Sequence, residues 1–147
     1  MSQTIAISGK GGSGKTTLSG LIVRTLAERT GKSVLAVDAD PNACLGPMLG
    51  VEPETTVGEI RDAALERKLQ TGPGMDRERA VEYAIHRAVA EADGFDLLTM
   101  GHTEGPKCYC AVNNLLRKYL NQASRDYQWV VLDNEAGLAH PSRRTTD

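Results

Sequence analysis

The run Gly9-Lys10-Gly11-Gly12-Ser13-Gly14-Lys15-Thr16 restricts what this chain can fold into more than any other stretch. It fits G-x-x-x-x-G-K-[ST], a pattern with physical meaning only between a strand and a helix. Both neighbours are predicted. Thr4-Ile5-Ala6-Ile7-Ser8 is short, apolar and bounded by glycine, as a buried strand is. Leu18, Leu21, Ile22, Thr25 and Leu26 then recur at helical spacing, and Gly31 supplies a stop. A loop of this make-up turns main-chain N–H groups inward around an anion. Glycine permits the close approach and the positive φ angles, and the helix aims its positive end at the same point. Gly9, Lys10, Gly11, Gly12, Ser13 and Gly14 are therefore expected to cradle nucleotide phosphates, with Thr17 on the first helical turn beside them. Lys15 supplies a point charge for the β- and γ-phosphates, and the Thr16 hydroxyl is a candidate Mg²⁺ ligand.

The rest of the chain alternates strands with helices. Ser33–Asp38, Phe95–Met100 and Trp129–Asp133 read as further strands. Thr56-Val57-Gly58-Glu59 fits a capping box opening a helix over roughly 57–69. Val81, Ala84, Ile85, Ala88 and Val89 mark one face of another helix, and Val112, Leu115, Leu116, Tyr119 and Leu120 a third. The stretch from Pro41 to Gly50 reads as a glycine-punctuated loop. Alternation of this kind predicts an α/β fold, a parallel sheet with helices on both faces, as one domain over residues 1–147.

In open α/β sheets ligands lie at the carboxyl ends of the strands, where Asp38, Asp40 and Asp133 stand. A Mg-triphosphate needs carboxylates on the waters of its metal and a group to orient the attacking water. Composition excludes other partners. A net charge of -2 offers no basic field for nucleic acid or an anionic membrane, and 4% aromatic residues give no base-stacking surface. No apolar run approaches the ~20 residues that span a bilayer. No positively charged segment precedes the first strand, so a cytoplasmic protein is expected. Three cysteines, Cys44, Cys108 and Cys110, argue against a disulfide framework in that compartment.

Lys10 adds a second lysine to the loop. Its placement resembles the deviant Walker A, K-G-G-x-G-K-[ST], of the MinD/ParA/nitrogenase iron protein group of P-loop NTPases. The resemblance implies an ATP-dependent homodimer in which Lys10 reaches the phosphates of the partner subunit. Asp40, within Asp38-Ala39-Asp40-Pro41-Asn42, matches the switch I aspartate that positions or activates the hydrolytic water. Lys10, Lys15 and Asp40 would then be catalytic. Asp133 looks like the Walker-B aspartate, with Asp38 supporting the magnesium site. Asn134-Glu135-Ala136-Gly137 would be switch II, the Gly137 amide sensing the γ-phosphate. Many relatives carry proline there, so Glu135 receives no role.

Cys108 and Cys110 are two apart, pointing to one face if extended and splayed at the start of a helix. One chain offers two thiolates. A twofold dimer offers four, which suits Zn²⁺ tetrahedrally or Ni²⁺ in a square plane. On spacing alone, two small buried cysteines fit equally well. The flanking residues Met100-Gly101-His102-Thr103-Glu104-Gly105-Pro106-Lys107 and Asn113-Asn114-Leu115-Leu116-Arg117 are more specific. With Asp133 to Leu138, His140 and Ser142 to Thr146, they resemble the CooC-type accessory ATPases of nickel carbon monoxide dehydrogenase and acetyl-CoA synthase. That resemblance implies an ATPase that assists nickel insertion, with Cys108 and Cys110 as metal ligands at the dimer interface. Lys107 stands where a small residue is expected. Cys44 is expected to be buried, and His102 and His140 to be polar loop residues.

Two other functions compete. A MinD/ParA-like spatial organiser needs a basic patch or a basic amphipathic helix, and none is seen. A redox ATPase with an iron–sulfur cluster needs cysteines farther apart. Members of the group continue beyond residue 147. The chain is therefore expected to be truncated at its C-terminus, lacking the adenine-binding parts, with its first strand at a sheet edge.

Overall fold

The computed structural model describes residues 2–10, 14–31, 33–69, 72–102 and 110–135; the side chains at 110–113, 116, 124 and 135 are not described. Strand β2 (Val34–Ala39) organises the core, with Val34 to Asp38 all buried. Successive side chains of a strand point to opposite faces. Val34 and Ala36 join Val23, Leu45, Leu49, Leu97 and Val131 in one cluster. Leu35 and Val37 join Ile60, Ile85, Leu98, Leu115 and Val130 in the other. A strand buried on both sides needs a continuous apolar run, which β2 has.

The first cluster is roofed by α1 (Lys15–Thr30) and α2 (Leu45–Leu49), the second by α3 (Val57–Leu65), α4 (Arg77–Ala88) and α5 (Cys110–Asp126). With β1 (Gln3–Gly9), β3 (Ala90–Glu91), β4 (Asp96–Thr99) and β5 (Trp129–Glu135), the sheet runs in the order β1-β5-β2-β4-β3. Every pairing is parallel except the short β3–β4 pair. The predicted α/β fold, a mostly parallel sheet between two layers of helices, is what forms. Among the described residues β1 lies at the rim, as expected, and its side chains alternate between exposed and half-buried.

Three local expectations are corrected. Leu45–Leu49 is a short helix rather than loop, closed by Gly50 at φ 73°. The helix beginning at Val57 ends at Leu65, not near 69, because Arg67 turns left-handed at φ 55° and the Lys68 amide donates to the Ala63 carbonyl at 2.8 Å. The two-residue β3 was not foreseen. The capping box is present: the Glu59 amide donates to Thr56 Oγ1 at 3.2 Å, and the Thr56 amide to Glu59 Oε2 at 2.9 Å.

Candidate functional site

Parallel pairing sets the site by register. Asp133 on β5 stands beside Ile7 of β1 and Asp38 of β2, and Asp38 stands beside Thr99 of β4. All four lie toward the carboxyl ends of their strands. Above them α1 begins at Lys15, after Gly14 at φ 80°. A side chain with a Cβ rarely adopts that angle, which accounts for glycine at this position. Gly14 gives α1 no side-chain cap, and the first N–H groups of a helix suit an anion.

Lys15 and the acidic residues converge. The Lys15 ammonium is buried and donates to the Asn134 carbonyl at 2.7 Å and to Asp40 Oδ2 at 3.2 Å, with Asp133 Oδ1 at 3.4 Å. Burial alone pushes its pKa down. The bond to Asp40 and the charges of Asp133 and Asp40 outweigh that and raise it above the ordinary lysine value. Asp40 moves the other way. The Asn42 amide donates to Asp40 Oδ1 at 2.9 Å, and with the Lys15 contacts it overcomes desolvation and holds the carboxyl below the usual range. Thr16 Oγ1 donates to Asp133 Oδ2 at 3.1 Å. A hydroxyl and a carboxylate side by side fit Mg²⁺, which Thr16 and Asp133 would hold.

Asp38 is fully buried, and both of its oxygens are engaged by main chain. The Asp40 amide donates to Oδ1 at 3.1 Å and the Leu45 amide to Oδ2 at 3.0 Å. Desolvation raises its pKa against those two bonds, with Asp133 and Asp40 adding like charge. Asp38 therefore acts first on the β2–α2 loop that carries Asp40. Its main chain reaches further: the Met100 amide donates to the Asp38 carbonyl, and the Gly58 amide to the Met100 carbonyl.

Other expected site residues stand apart or fall outside the description. Lys10 is exposed just beyond β1, and Thr17 is exposed on the first turn of α1. Gly9 ends β1 opposite Glu135. Gly11, Gly12, Ser13, Gly137, Cys108 and His140 lie outside the described residues. Cys110 opens α5, and its side chain is not described. Among the described residues no group of three or more His, Cys, Asp or Glu is arranged to hold a metal ion. Cys44 was expected to be buried and is exposed, its thiol near the Asn42 carbonyl. No described helix is long and apolar enough to cross a membrane.

Two participants were missed in the sequence. One is the Asn134 carbonyl, a main-chain group that leaves no trace in residue type. The other is Ser19, fully buried, whose Oγ lies 2.9 Å from the Lys15 carbonyl and 3.1 Å from Asp133 Oδ1. Its spacing was the available signal: four residues after Lys15 is one helical turn on the same face.

Comparison with known proteins gives one picture. The profile described as CobQ/CobB/MinD/ParA nucleotide binding domain matches residues 4–133. An uncharacterised ATP-binding protein of Methanocaldococcus jannaschii is 46% identical over 144 residues, 97% of this chain and 56% of that protein. The carbon monoxide dehydrogenase accessory protein CooC of Rhodospirillum rubrum is 32% identical over 154 residues, 97% of this chain and 58% of that protein. The chain thus spans somewhat over half the length of these relatives. Among solved structures, cobyrinic acid a,c-diamide synthase of Mycobacterium smegmatis with bound ADP and magnesium superposes with a TM-score of 0.62 at 25% identity, over 92% of this chain and 51% of that one. The cell division ATPase MinD of Pyrococcus furiosus gives 0.60 at 25% identity, over 94% and 52%.

Proposed function

The chain belongs to the CobQ/CobB/MinD/ParA family of ATP-binding P-loop NTPases, and from that premise we propose that it is an ATP-hydrolysing maturation factor for a nickel enzyme. The convergence of Lys15, Thr16, Asp40 and Asp133 supports the hydrolytic half of this reading. ATP would enter over residues 9–16. Lys15 would move from Asp40 and Asn134 to the β- and γ-phosphates. Thr16 and Asp133 would hold Mg²⁺, which neutralises phosphate charge when bound, with Asp38 supporting them. Asp40, released from the ammonium, would orient a water. That water would attack the γ-phosphorus while the bond from it to the β–γ bridging oxygen breaks, the electron pair leaving with ADP and the proton of the water passing to the released phosphate. The Gly137 amide would contact the γ-phosphate, and Lys10 the phosphates of the partner subunit in an ATP-dependent homodimer.

The nickel half rests on the likeness to CooC and on the Cys108-Tyr109-Cys110 motif. Four thiolates from two chains would bind Ni²⁺, or Zn²⁺, at the dimer interface. ATP would favour the closed dimer and so reshape the metal site for delivery to carbon monoxide dehydrogenase or acetyl-CoA synthase, in the cytoplasm.

Metal stoichiometry with and without ATP tests this, on wild type, Lys15→Ala and a Cys108→Ala/Cys110→Ala double variant. About one metal per dimer is expected, lost in the double variant. ATP hydrolysis is expected to vanish in Lys15→Ala. Metal retained by the double variant would remove the nickel role and favour a MinD/ParA-like organiser, and turnover retained by Lys15→Ala would remove the phosphate site.

A further inference from the structure

We infer that Ser19 is a positioning residue for the magnesium aspartate, fixing Asp133 when Lys15 is drawn away by phosphate. The inference rests on the proposed Mg-nucleotide site.

Asp133 is fully buried, and its two oxygens have different neighbours. Oδ2 accepts from Thr16 Oγ1 at 3.1 Å. Oδ1 faces the Lys15 ammonium at 3.4 Å and Ser19 Oγ at 3.1 Å. A lysine committed to the β- and γ-phosphates cannot keep its present contacts with Asp40, Asn134 and Asp133 together. Oδ1 would then lose its cation. Of its two side-chain neighbours, Ser19 is the one mounted rigidly, because it sits inside α1 with no exposure and a single side-chain torsion to its oxygen.

Ser19 Oγ has one proton and two acceptors in reach. The Lys15 carbonyl is already the acceptor four residues back in the helix. The carboxylate is anionic and takes the stronger, charge-assisted bond. A fixed donor on Oδ1 keeps the carboxylate plane such that Oδ2 stays beside Thr16, the pair that would hold Mg²⁺. Groups of this kind, one step behind a metal site, typically change metal affinity about 10- to 100-fold when removed.

Nucleotide affinity is measured with excess Mg²⁺ and with EDTA, on wild type, Ser19→Ala and Ser19→Thr. Thermal unfolding of each checks folding. Ser19→Ala is expected to lose about tenfold of the Mg²⁺-dependent gain in affinity while binding in EDTA is unchanged. Ser19→Thr, which keeps the hydroxyl, is expected to keep that gain. Equal weakening in both media marks Ser19 as a packing residue and overturns the inference. So does a full Mg²⁺ gain in Ser19→Ala, or, if that variant does not fold, a lost gain in a folded Ser19→Thr. Absence of nucleotide binding by the wild type defeats instead the reading of the site on which this rests.

Discussion

Charge at the candidate site is balanced residue by residue. Lys15 faces Asp40 and Asp133, while Asp38 beside them is held by the Asp40 and Leu45 amides. Asp40 is the member whose titration is most readily tested. Its carboxyl is lowered in the folded protein by the Asn42 amide and by Lys15. A lowered folded pKa gives stability that is present above the unfolded value, about 3.9, and is lost as pH falls toward the folded one. Urea unfolding of wild type and Asp40→Asn, without nucleotide, should therefore show a stability difference that is full near neutrality. It should narrow below about pH 4; a difference independent of pH would show that the ion pair contributes nothing. Much of this site was legible in residue types, since a lysine after glycines and acids at strand ends carry their chemistry openly. Ser19 was signalled only by its spacing from Lys15, and the Asn134 carbonyl not at all, because a carbonyl belongs to every residue.

Among the elements, the segment leaving β4 passes close to the start of α3. A Cβ added to Gly58 would run into the His102 carbonyl oxygen, with the Met100 carbonyl at 3.3 Å; one added to Gly101 would meet Thr56 Oγ1 at 2.6 Å. These obstacles include backbone that is itself bonded, the Met100 carbonyl accepting from the Gly58 amide. Gly58→Ala should therefore destabilise the protein by about 1–3 kcal/mol, as overpacking does, read as a shift in the urea midpoint. An unchanged midpoint would mean that the β4 exit yields easily. The start of α3 was readable because a capping box is a local code. Its end was not, since Arg67 adopts a left-handed angle with no glycine to announce it. Helix α2 escaped notice because five residues are too few to show a helical period.

For the molecule as a whole, the succession of the four longer strands was readable, but beyond the place of β1 at the rim their order was not. Apolar runs reveal that strands exist; they do not say that β5, the last among the described residues, lies between β1 and β2. Packing decides that, through Val130 and Val131 serving opposite faces. A chain ended after Gln128 would leave β1 and β2 with no strand between them. It is expected to lose cooperative thermal unfolding, measured by far-ultraviolet circular dichroism, whereas a sharp transition would show that the other elements suffice. The same insertion governs timing on the ribosome. Lys15 and Thr16 are synthesised early, but their partners Asp133 and Asn134 follow 117 to 119 residues later. Until those residues leave the exit tunnel, the nascent amino-terminal segment has a charged lysine and no acceptor from β5, so the contacts of Lys15 and Thr16 with that strand must wait for the sheet to be filled from its middle.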